Sequence, residues 1–343
     1  TFYSLFIMLL FVCNNSFSQT NIGGVINDYE GIVTIIQPGC NQCDQSLFCL
    51  DEIVVLDPSA FSVGDKALII QMKGASINET NTVSGGTITD IGNAGNYEFF
   101  DVGGIVGNNI YPTAPLRRTY DTAGLVQIVR VPYYPGDVNI TSTITADPWD
   151  PLTNEGGVVA LFVEGTLTLN ADIDAGEIGY RGVTVSVNGS PDNCSINPNT
   201  QFMGPSTDSD KSPKGNGIVV ENPLFNGGRA PEANGGGGGV SGDSGGGGGS
   251  NFGAGGIGGK RWCDTGPGGA DAGGLGGVSL AAYLDQRKVF MGGAGGAGFI
   301  TSGNPAIATN GGGIVIVRAN SIIGNNRTIF AQGANSVAPG SGI

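Results

Sequence analysis

Short runs of β-branched and aromatic residues recur along the chain, separated by glycine, asparagine, aspartate or proline. Runs of this kind, bounded by turn residues, predict β-strands. The clearest ones lie at residues 53–56, 67–72, 126–131, 140–145, 158–163, 183–187 and 314–317. Only residues 278–289 (VSLAAYLDQRKV) fit a short helix, and they lack a firm N-cap. The pattern therefore predicts an all-β chain.

One stretch of this pattern occurs twice. Residues 156–175 align without a gap with residues 312–331, and the alignment places Leu167 with Ile323 and Ile173 with Ile329. Each copy reads as two or three short strands that end in a corner of small residues, which is typical of one coil of a β-solenoid. Chance similarity between two amphipathic β segments is the alternative.

The composition changes near residues 147–151 (DPWDP), where two prolines flank a tryptophan. This change predicts an N-terminal β domain at 19–146, followed by a glycine-rich β-solenoid-like (β-helix) domain at 147–343. If the repeat is genuine, residues 177–311 form a long insertion between two equivalent coils. Within that insertion, residues 227–277 contain 25 glycines among 51 residues.

The glycine-rich tract has two interpretations. A flexible linker lacks large apolar side chains, whereas this tract carries Phe252, Ile257, Trp262, Leu275 and Val278 at intervals. Glycine segments can also order by lying side by side as extended, polyproline-II-like strands with no Cβ between them. The interspersed apolar residues favour ordered packing over a mobile loop.

Residues 2–13 form an apolar run that is shorter than the roughly 20 residues of a membrane-spanning helix. Ser16 and Ser18 then occupy the −3 and −1 positions of a cleavage site before Gln19. We therefore expect residues 1–18 to be a signal peptide whose n-region is truncated, since the sequence opens at Thr1. Because no other run approaches membrane-spanning length, the sequence predicts an exported chain without a membrane span.

Charge and composition exclude several classes of function. The 29 acidic and 15 basic residues give a net charge of −14, which repels the phosphates of nucleic acids. The chain has no histidine, so it cannot form a histidine-based catalytic triad or a histidine metal site. This rules out a protease reading of the GDSGG sequence at 242–246, which needs a histidine base. We expect no cofactor and no metal ion.

The cysteines favour disulfides, because an exported protein meets an oxidising compartment. Cys40, Cys43 and Cys49 form a cluster that falls one ligand short of a zinc site. We expect one bond within this cluster and a second between Cys194 and Cys263. Five cysteines follow the signal peptide, so one remains unpaired or pairs with another chain.

Two further features bear on carbohydrate chemistry. Acidic residues are scattered, and we interpret most of them as solvated turn residues; they are Asp147, Asp150, Asp172, Asp174, Glu177, Asp208 and Asp210. A carboxylate pair on one strand face would be Asp172 and Asp174, the candidates for acid–base chemistry on a sugar. Tyr133, Tyr134 and Trp149 offer either a sugar-stacking platform or ordinary core packing.

Several segments resemble a recurrent N-terminal region of large secreted Bacteroidota surface proteins, the glycine-rich, adhesin-like family associated with gliding motility and type IX secretion. The resemblance lies in SFSQ at 16–19, GDKALIIQMKGA at 64–75, GNYEF at 95–99, VQIVRVP at 126–132, WD at 149–150 and GGVVALFVEGTLTLNADIDA at 156–175. Residues 121–123 (DTA) are similar to an O-glycosylation motif of that phylum. The resemblance implies a module of a secreted or outer-surface adhesin.

The first functional hypothesis is a secreted or cell-surface structural and adhesive module without catalysis. It would bind an extended surface, such as a polysaccharide or another cell-surface component, through shape and hydrogen bonding. The alternative is a β-helix carbohydrate-active enzyme that uses paired carboxylates, with Asp172 and Asp174 as its weak candidates. The two hypotheses differ in whether a carboxylate pair lines a groove of the folded chain.

Overall fold

The computed structural model describes residues 19–38, 50–185, 193–263, 271–301 and 306–335, and this part of the chain is all-β. Its strands are β1 Thr20–Val25, β2 Asp28–Ile36, β3 Glu52–Val55, β4 Lys66–Gln71, β5 Ser76–Ile77, β6 Ile88–Asp90, β7 Tyr97–Val106, β8 Asn109–Pro112, β9 Val126–Val131, β10 Tyr133–Tyr134, β11 Val138–Thr145, β12 Val158–Leu169, β13 Ile173–Asp174, β14 Thr184–Val185, β15 Ala306–Ile307, β16 Ile314–Ile323 and β17 Ile329–Phe330. The predicted helical stretch contains one short 3-10 helix, Ala281–Gln286.

Six strands close into an antiparallel barrel in the order β2-β3-β8-β7-β4-β9. Strand β4 shows why the barrel packs on both sides, since Ala67 and Ile69 face the barrel interior. The intervening Leu68 and Ile70 belong to a second apolar cluster outside the barrel. Alternate side chains of a strand point to opposite faces, so a strand that is apolar throughout can join two cores.

A second sheet is built from parallel strands. It stacks β1, β11, β12 and β16 side by side, with β10 on β12 and with β13 between β11 and β17. Apolar residues at equivalent positions of successive strands pack over one another in a common core, such as Val138 with Leu167 and Ile144 with Ile173. This parallel stack lies beside the barrel.

The sequence repeat corresponds to strand pairing within this stack. Val158 pairs with Ile314, and the register continues residue by residue through Val163. A register shift follows, so that Leu167 faces Ile322 and not Ile323, as the gapless alignment predicts. The original offset returns where Ile173 pairs with Ile329. The two copies are therefore neighbouring strands of one sheet.

The parallel stack draws strands from both sides of the predicted boundary at residues 146/147. Strands β1 and β11 precede this boundary, and they lie in the same sheet as β12 and β16. Sheet membership therefore does not follow the division into 19–146 and 147–343. Whether these two regions fold independently remains a prediction.

The glycine-rich tract is ordered by hydrogen bonds between neighbouring extended segments. Backbone N–H groups of residues 236–240 donate to two neighbouring segments, and successive bonds to the same segment come from residues three apart. The bonds run from Gly236 N–H to Ala294 O, Gly239 to Ala297, Gly237 to Leu275 and Val240 to Ala272. A three-residue repeat with no hydrogen bonds inside the segment itself is typical of polyproline-II helices. The described part of the tract, residues 227–263 and 271–277, thus contains a bundle of such segments, and ordered packing is confirmed for this part.

Glycine is required inside this bundle because backbone lies where a side chain would begin. A Cβ on Gly237 would lie 1.9 Å from the carbonyl oxygen of Arg229, and one on Gly274 would lie 1.8 Å from that of Gly237. The large apolar residues of the tract contribute less to its packing than the sequence predicts. Phe252, Ile257 and Trp262 are about two-thirds exposed, at 69%, 63% and 65%.

The apolar contacts that hold the bundle come from elsewhere. Leu280, Phe290 and Met291 are buried in the cluster that also contains Leu68 and Ile70 from the barrel. Backbone bonds reinforce this contact, because the N–H groups of Gly74 and Ala75 both donate to Ile218 O. The barrel, the parallel stack and the glycine bundle therefore share one core.

Candidate functional site

A cleft of about 480 Å³ opens where the start of β2 meets the turn at residues 147–156. Four carboxylates line it, from Asp28, Asp147, Asp150 and Glu155, together with the guanidinium of Arg181. The barrel supplies the first carboxylate and the approach to β12 supplies the other three. The cleft therefore exists only because the barrel packs against the parallel stack.

Hydrogen bonds hold three of these carboxylates in fixed orientations. Asp28 Oδ2 accepts from Nε of Arg130 at 2.7 Å, in an ion pair between the neighbouring strands β2 and β9. Glu155 Oε1 accepts from the N–H of Gly31 at 3.0 Å. Asp150 Oδ1 accepts from the N–H of Leu152 at 2.9 Å and so stabilises its own turn. A ligand would meet preorganised acceptors.

Tyr29 forms part of the cleft wall, and its hydroxyl donates to Val158 O at 2.8 Å. Burial raises the pKa of this hydroxyl well above its ordinary value, and the negative charges of Asp147 and Asp28 raise it further. Tyr29 therefore stays protonated at physiological pH and serves as a fixed donor to the backbone.

A further carboxylate, that of Glu30, neighbours the cleft. Burial raises its pKa, and the charge of Glu155 adds to the increase. Glu30 is therefore close enough to Glu155 for their two charges to interact. Sequence reasoning did not select Asp28, Glu30 or Glu155, because only closure of the barrel brings β2 beside residue 155.

Arg181 supplies the positive charge of the cleft. Its Nε donates to Trp149 O at 2.7 Å, and this bond fixes the position of the guanidinium group. Among the described residues its two Nη groups have no hydrogen-bond partner, and the side chain is exposed. The cleft therefore presents carboxylate acceptors and a guanidinium donor on the same surface.

The predicted carboxylate pair lies away from the cleft. Asp172 Oδ1 accepts from the N–H of Thr328 at 3.0 Å, and Asp174 Oδ1 accepts from the N–H of Gly176 at 2.8 Å. The first bond joins two neighbouring levels of the parallel stack, and the second stabilises a turn. Both side chains are thus bonded to the backbone of the stack.

The aromatic platform predicted from Tyr133, Tyr134 and Trp149 does not form. Trp149 is 1% exposed and packs edge-to-face against Tyr180, with ring centroids 6.3 Å apart. Tyr133 lies elsewhere on the surface, against Phe162 at 5.4 Å between centroids. The interpretation of Trp149 as core packing is the correct one, because its large apolar ring is more stable out of water.

Cys194 and Cys263 form a disulfide, as the sequence predicts. The predicted cluster of Cys40, Cys43 and Cys49 lies outside the described residues. In the GDSGG sequence, Ser244 Oγ accepts from the N–H of Val240 at 3.1 Å, so this serine stabilises a turn.

Within the described ranges, no group of three or more acidic or cysteine side chains is arranged to hold a metal ion. The same residues include no helix that is both long and apolar enough to cross a membrane.

Comparisons with known proteins add little to this geometry. No protein-family model matches the chain, and no curated protein matches it. Among solved structures, the tailspike protein gp49 from Pseudomonas phage LKA1 is similar over 46% of this chain, at 17% identity and a TM-score of 0.21. The chain covers 24% of that tailspike chain.

Proposed function

We propose that the chain is an exported, cell-surface structural and adhesive module that binds polysaccharide without catalysis, and that its parallel stack is a short β-solenoid. One observation carries the proposal. The cleft presents oriented carboxylates beside the Nη groups of Arg181, on a scaffold held by three packed substructures.

Sugar hydroxyls both donate and accept hydrogen bonds, so they fit a surface that offers both kinds of group. Carboxylates such as Asp150 and Glu155 accept from hydroxyls, while Arg181 donates to ring or hydroxyl oxygens. Because backbone N–H groups already hold both carboxylates, little side-chain entropy is lost on binding. An extended glycan would bind in the cleft with its ends in solvent.

Binding to a glycan array and to insoluble polysaccharides tests the proposal. We expect retention by at least one polysaccharide, and we expect Arg181→Ala to weaken it about tenfold, as loss of a charged hydrogen bond does. Asp172→Asn is the matched control, since Asp172 lies outside the cleft. Equal retention of both variants and the wild type would contradict binding in the cleft. Retention by no polysaccharide would contradict the adhesive role.

The second candidate is a carbohydrate-active enzyme, which the carboxylates at the cleft favour. In this reading Glu30, whose pKa is raised, acts as the acid and Glu155 as its partner. A reducing-end assay on each bound polysaccharide separates the two functions. New reducing ends that disappear in Glu155→Gln would establish the enzyme, whereas binding without new ends supports the adhesive module.

A further inference from the structure

A row of three side chains crosses the parallel stack on one face. Tyr133 on β10 pairs with Phe162 on β12, and Phe162 pairs with Arg318 on β16. Because paired residues of neighbouring strands point to the same face of a sheet, the three side chains lie next to one another. We call these three residues the aromatic–arginine row. The cleft is lined by other residues.

The guanidinium group of Arg318 is held in place without an anionic partner. Its central carbon lies 4.4 Å from the centre of the Phe162 ring, a stacking contact that restricts the side chain. Arg318 is exposed, and within the described part of the chain it forms no hydrogen bond or ion pair. Ion pairs with carboxylates are formed instead by Lys66, Arg130 and Lys211. The N–H donors of Arg318 are therefore available to a ligand.

Tyr133 supplies an exposed aromatic ring at the other end of the row. It is 40% exposed, and its ring meets that of Phe162 edge-to-face with centroids 5.4 Å apart. Lys66 Nζ lies 5.3 Å from the centre of the Tyr133 ring. The carboxylate of Glu164 neighbours the Tyr133 hydroxyl and raises the pKa of this hydroxyl. These contacts fix the ring while part of its surface stays in water.

A uronic acid unit of a polysaccharide carries both groups that such a row can recognise. Its carboxylate can accept two parallel hydrogen bonds from one guanidinium group. Its pyranose ring has a face of C–H groups, which packs against an aromatic ring. A free phosphate or sulfate ion would use Arg318 and leave the exposed ring of Tyr133 without a contact.

We propose that the aromatic–arginine row binds a uronic acid unit of a polysaccharide, with Arg318 on the carboxylate and Tyr133 against a sugar ring. This site goes beyond the proposed function, because it does not depend on a glycan in the cleft.

The negative charges of the protein do not prevent this binding. Asp101 is already paired with Lys66, and neither Asp101 nor Glu164 forms an ion pair with Arg318. The net charge of −14 opposes an anionic ligand, but charges more than about 8 Å away are largely screened at physiological ionic strength. Binding of one carboxylate therefore depends mainly on the groups of the row.

Calorimetric titration of the purified chain with uronic acid polymers, at physiological ionic strength, tests the proposal. The probes are hyaluronan, alginate and polygalacturonate, each compared with the same polymer after its carboxyl groups are reduced to alcohols. We expect at least one probe to bind, and its reduced form to bind about tenfold more weakly. Dextran sulfate, which offers charge without carboxylates, should bind more weakly than that probe.

Substitutions then assign the binding to the row. Arg318→Gln should weaken binding of the uronic acid polymer about tenfold, because it removes the charge and the paired donors. Arg327→Gln is the matched control, since Arg327 is an exposed arginine shortly after β16, and it should change little. Arg318→Lys keeps the charge without the planar group, so it should recover only part of the affinity. Tyr133→Ala should also weaken binding.

Four results would each overturn the proposal. They are binding of none of the three uronic acid polymers, equal binding of a polymer and its reduced form, equal affinities of Arg318→Gln and Arg327→Gln, and full affinity in Arg318→Lys. The last result also decides if Arg318→Gln fails to fold. A uronic acid polymer whose binding is lost in Arg181→Ala and kept in Arg318→Gln would be bound in the cleft, which would support the proposed function and contradict this inference.

Discussion

The side-chain amide of Asn27 forms two hydrogen bonds with the backbone of Ala160, donating to its carbonyl oxygen at 2.8 Å and accepting from its N–H at 3.0 Å. The same amide donates to Arg130 O in the barrel at 2.9 Å. Gln127 repeats the arrangement with both backbone groups of Gly156. Two buried amides thus take the place of strand pairing where the barrel meets the parallel stack.

Replacing Asn27 with alanine should therefore destabilise the protein. The change leaves buried backbone groups of Ala160 and Arg130 without partners, at a cost of about 3 kcal/mol in the free energy of unfolding. Urea denaturation followed by circular dichroism measures it. Asn139→Ala is the control, because its side-chain bond to Asn21 is exposed, and it should cost less than about 0.5 kcal/mol. Equal losses in the two variants would show that Asn27 does not join the two sheets.

Alanine substitution should separate interior from outward glycines. Gly237→Ala places a Cβ 1.9 Å from a carbonyl oxygen, so we expect it to lower the free energy of unfolding by about 3 kcal/mol or more. Gly256→Ala meets no atom within 4 Å, and it should raise stability by about 0.5 kcal/mol because it restricts the unfolded chain. Denaturation of the two variants side by side is the measurement. A tolerated Gly237→Ala would contradict the packing of the bundle.

The disulfide should contribute strongly to stability. Cys194 and Cys263 are 69 residues apart, and a closed loop of that length stabilises by about 4 kcal/mol in the chain-entropy model. The double variant Cys194→Ser and Cys263→Ser should lose that amount relative to the oxidised wild type, as measured by denaturation without reductant. Adding reductant to the wild type should give a similar loss, and no change with reductant would mean that the bond is absent in solution.

A buried group of charges predicts an unusual dependence of stability on pH. Lys73, Lys214 and Glu232 are each at most 4% exposed, with Glu221 nearby. Burial raises the pKa of Glu232 to about 7 and lowers the pKa of Lys214 to about 8. Burial likewise lowers the pKa of Lys73.

The sign of each contribution follows from proton binding. The folded state binds the Glu232 proton more tightly than the unfolded state, so stability falls as the pH rises from 4.5 to about 7. The unfolded state binds the Lys214 proton more tightly, so stability rises between pH 8 and 10.5. Thermal unfolding across this range should show a minimum near pH 7 to 8. Glu232→Gln should remove the lower slope, and the exposed Glu79→Gln should leave it; an unchanged slope in Glu232→Gln would assign the effect to other groups.

The elements that follow a side-chain pattern could be predicted from the sequence. The prediction for strand β9 matches its observed bounds, and the repeat identifies β12 and β16 as equivalent because an apolar run follows a glycine pair in both. The one-residue register shift before Leu167 leaves no trace in composition. It changes which isoleucine, Ile322 or Ile323, pairs with Leu167.

The cleft was less predictable. Asp147 and Asp150 stood out as acidic residues, but Asp28 and Glu155 become neighbours only through tertiary packing of the barrel on the stack. The glycine bundle shows the same difficulty in another form. Its segments contact one another through backbone atoms, so a high glycine content predicts their close packing. The large apolar side chains of Phe252 and Trp262 suggested that they hold the bundle together, but both are mostly exposed.

The long distance along the chain between β12 and β16, which pair with each other, has a consequence for folding. Residues 170–313 lie between the two strands, so pairing β12 with β16 closes a very long loop. Closing so long a loop adds little entropy cost, since that cost grows only with the logarithm of length. The separation of the two strands therefore acts mainly on the rate of folding, because contacts between residues that are distant in the sequence form slowly. We expect the pairing of β12 with β16 to be a slow step in folding.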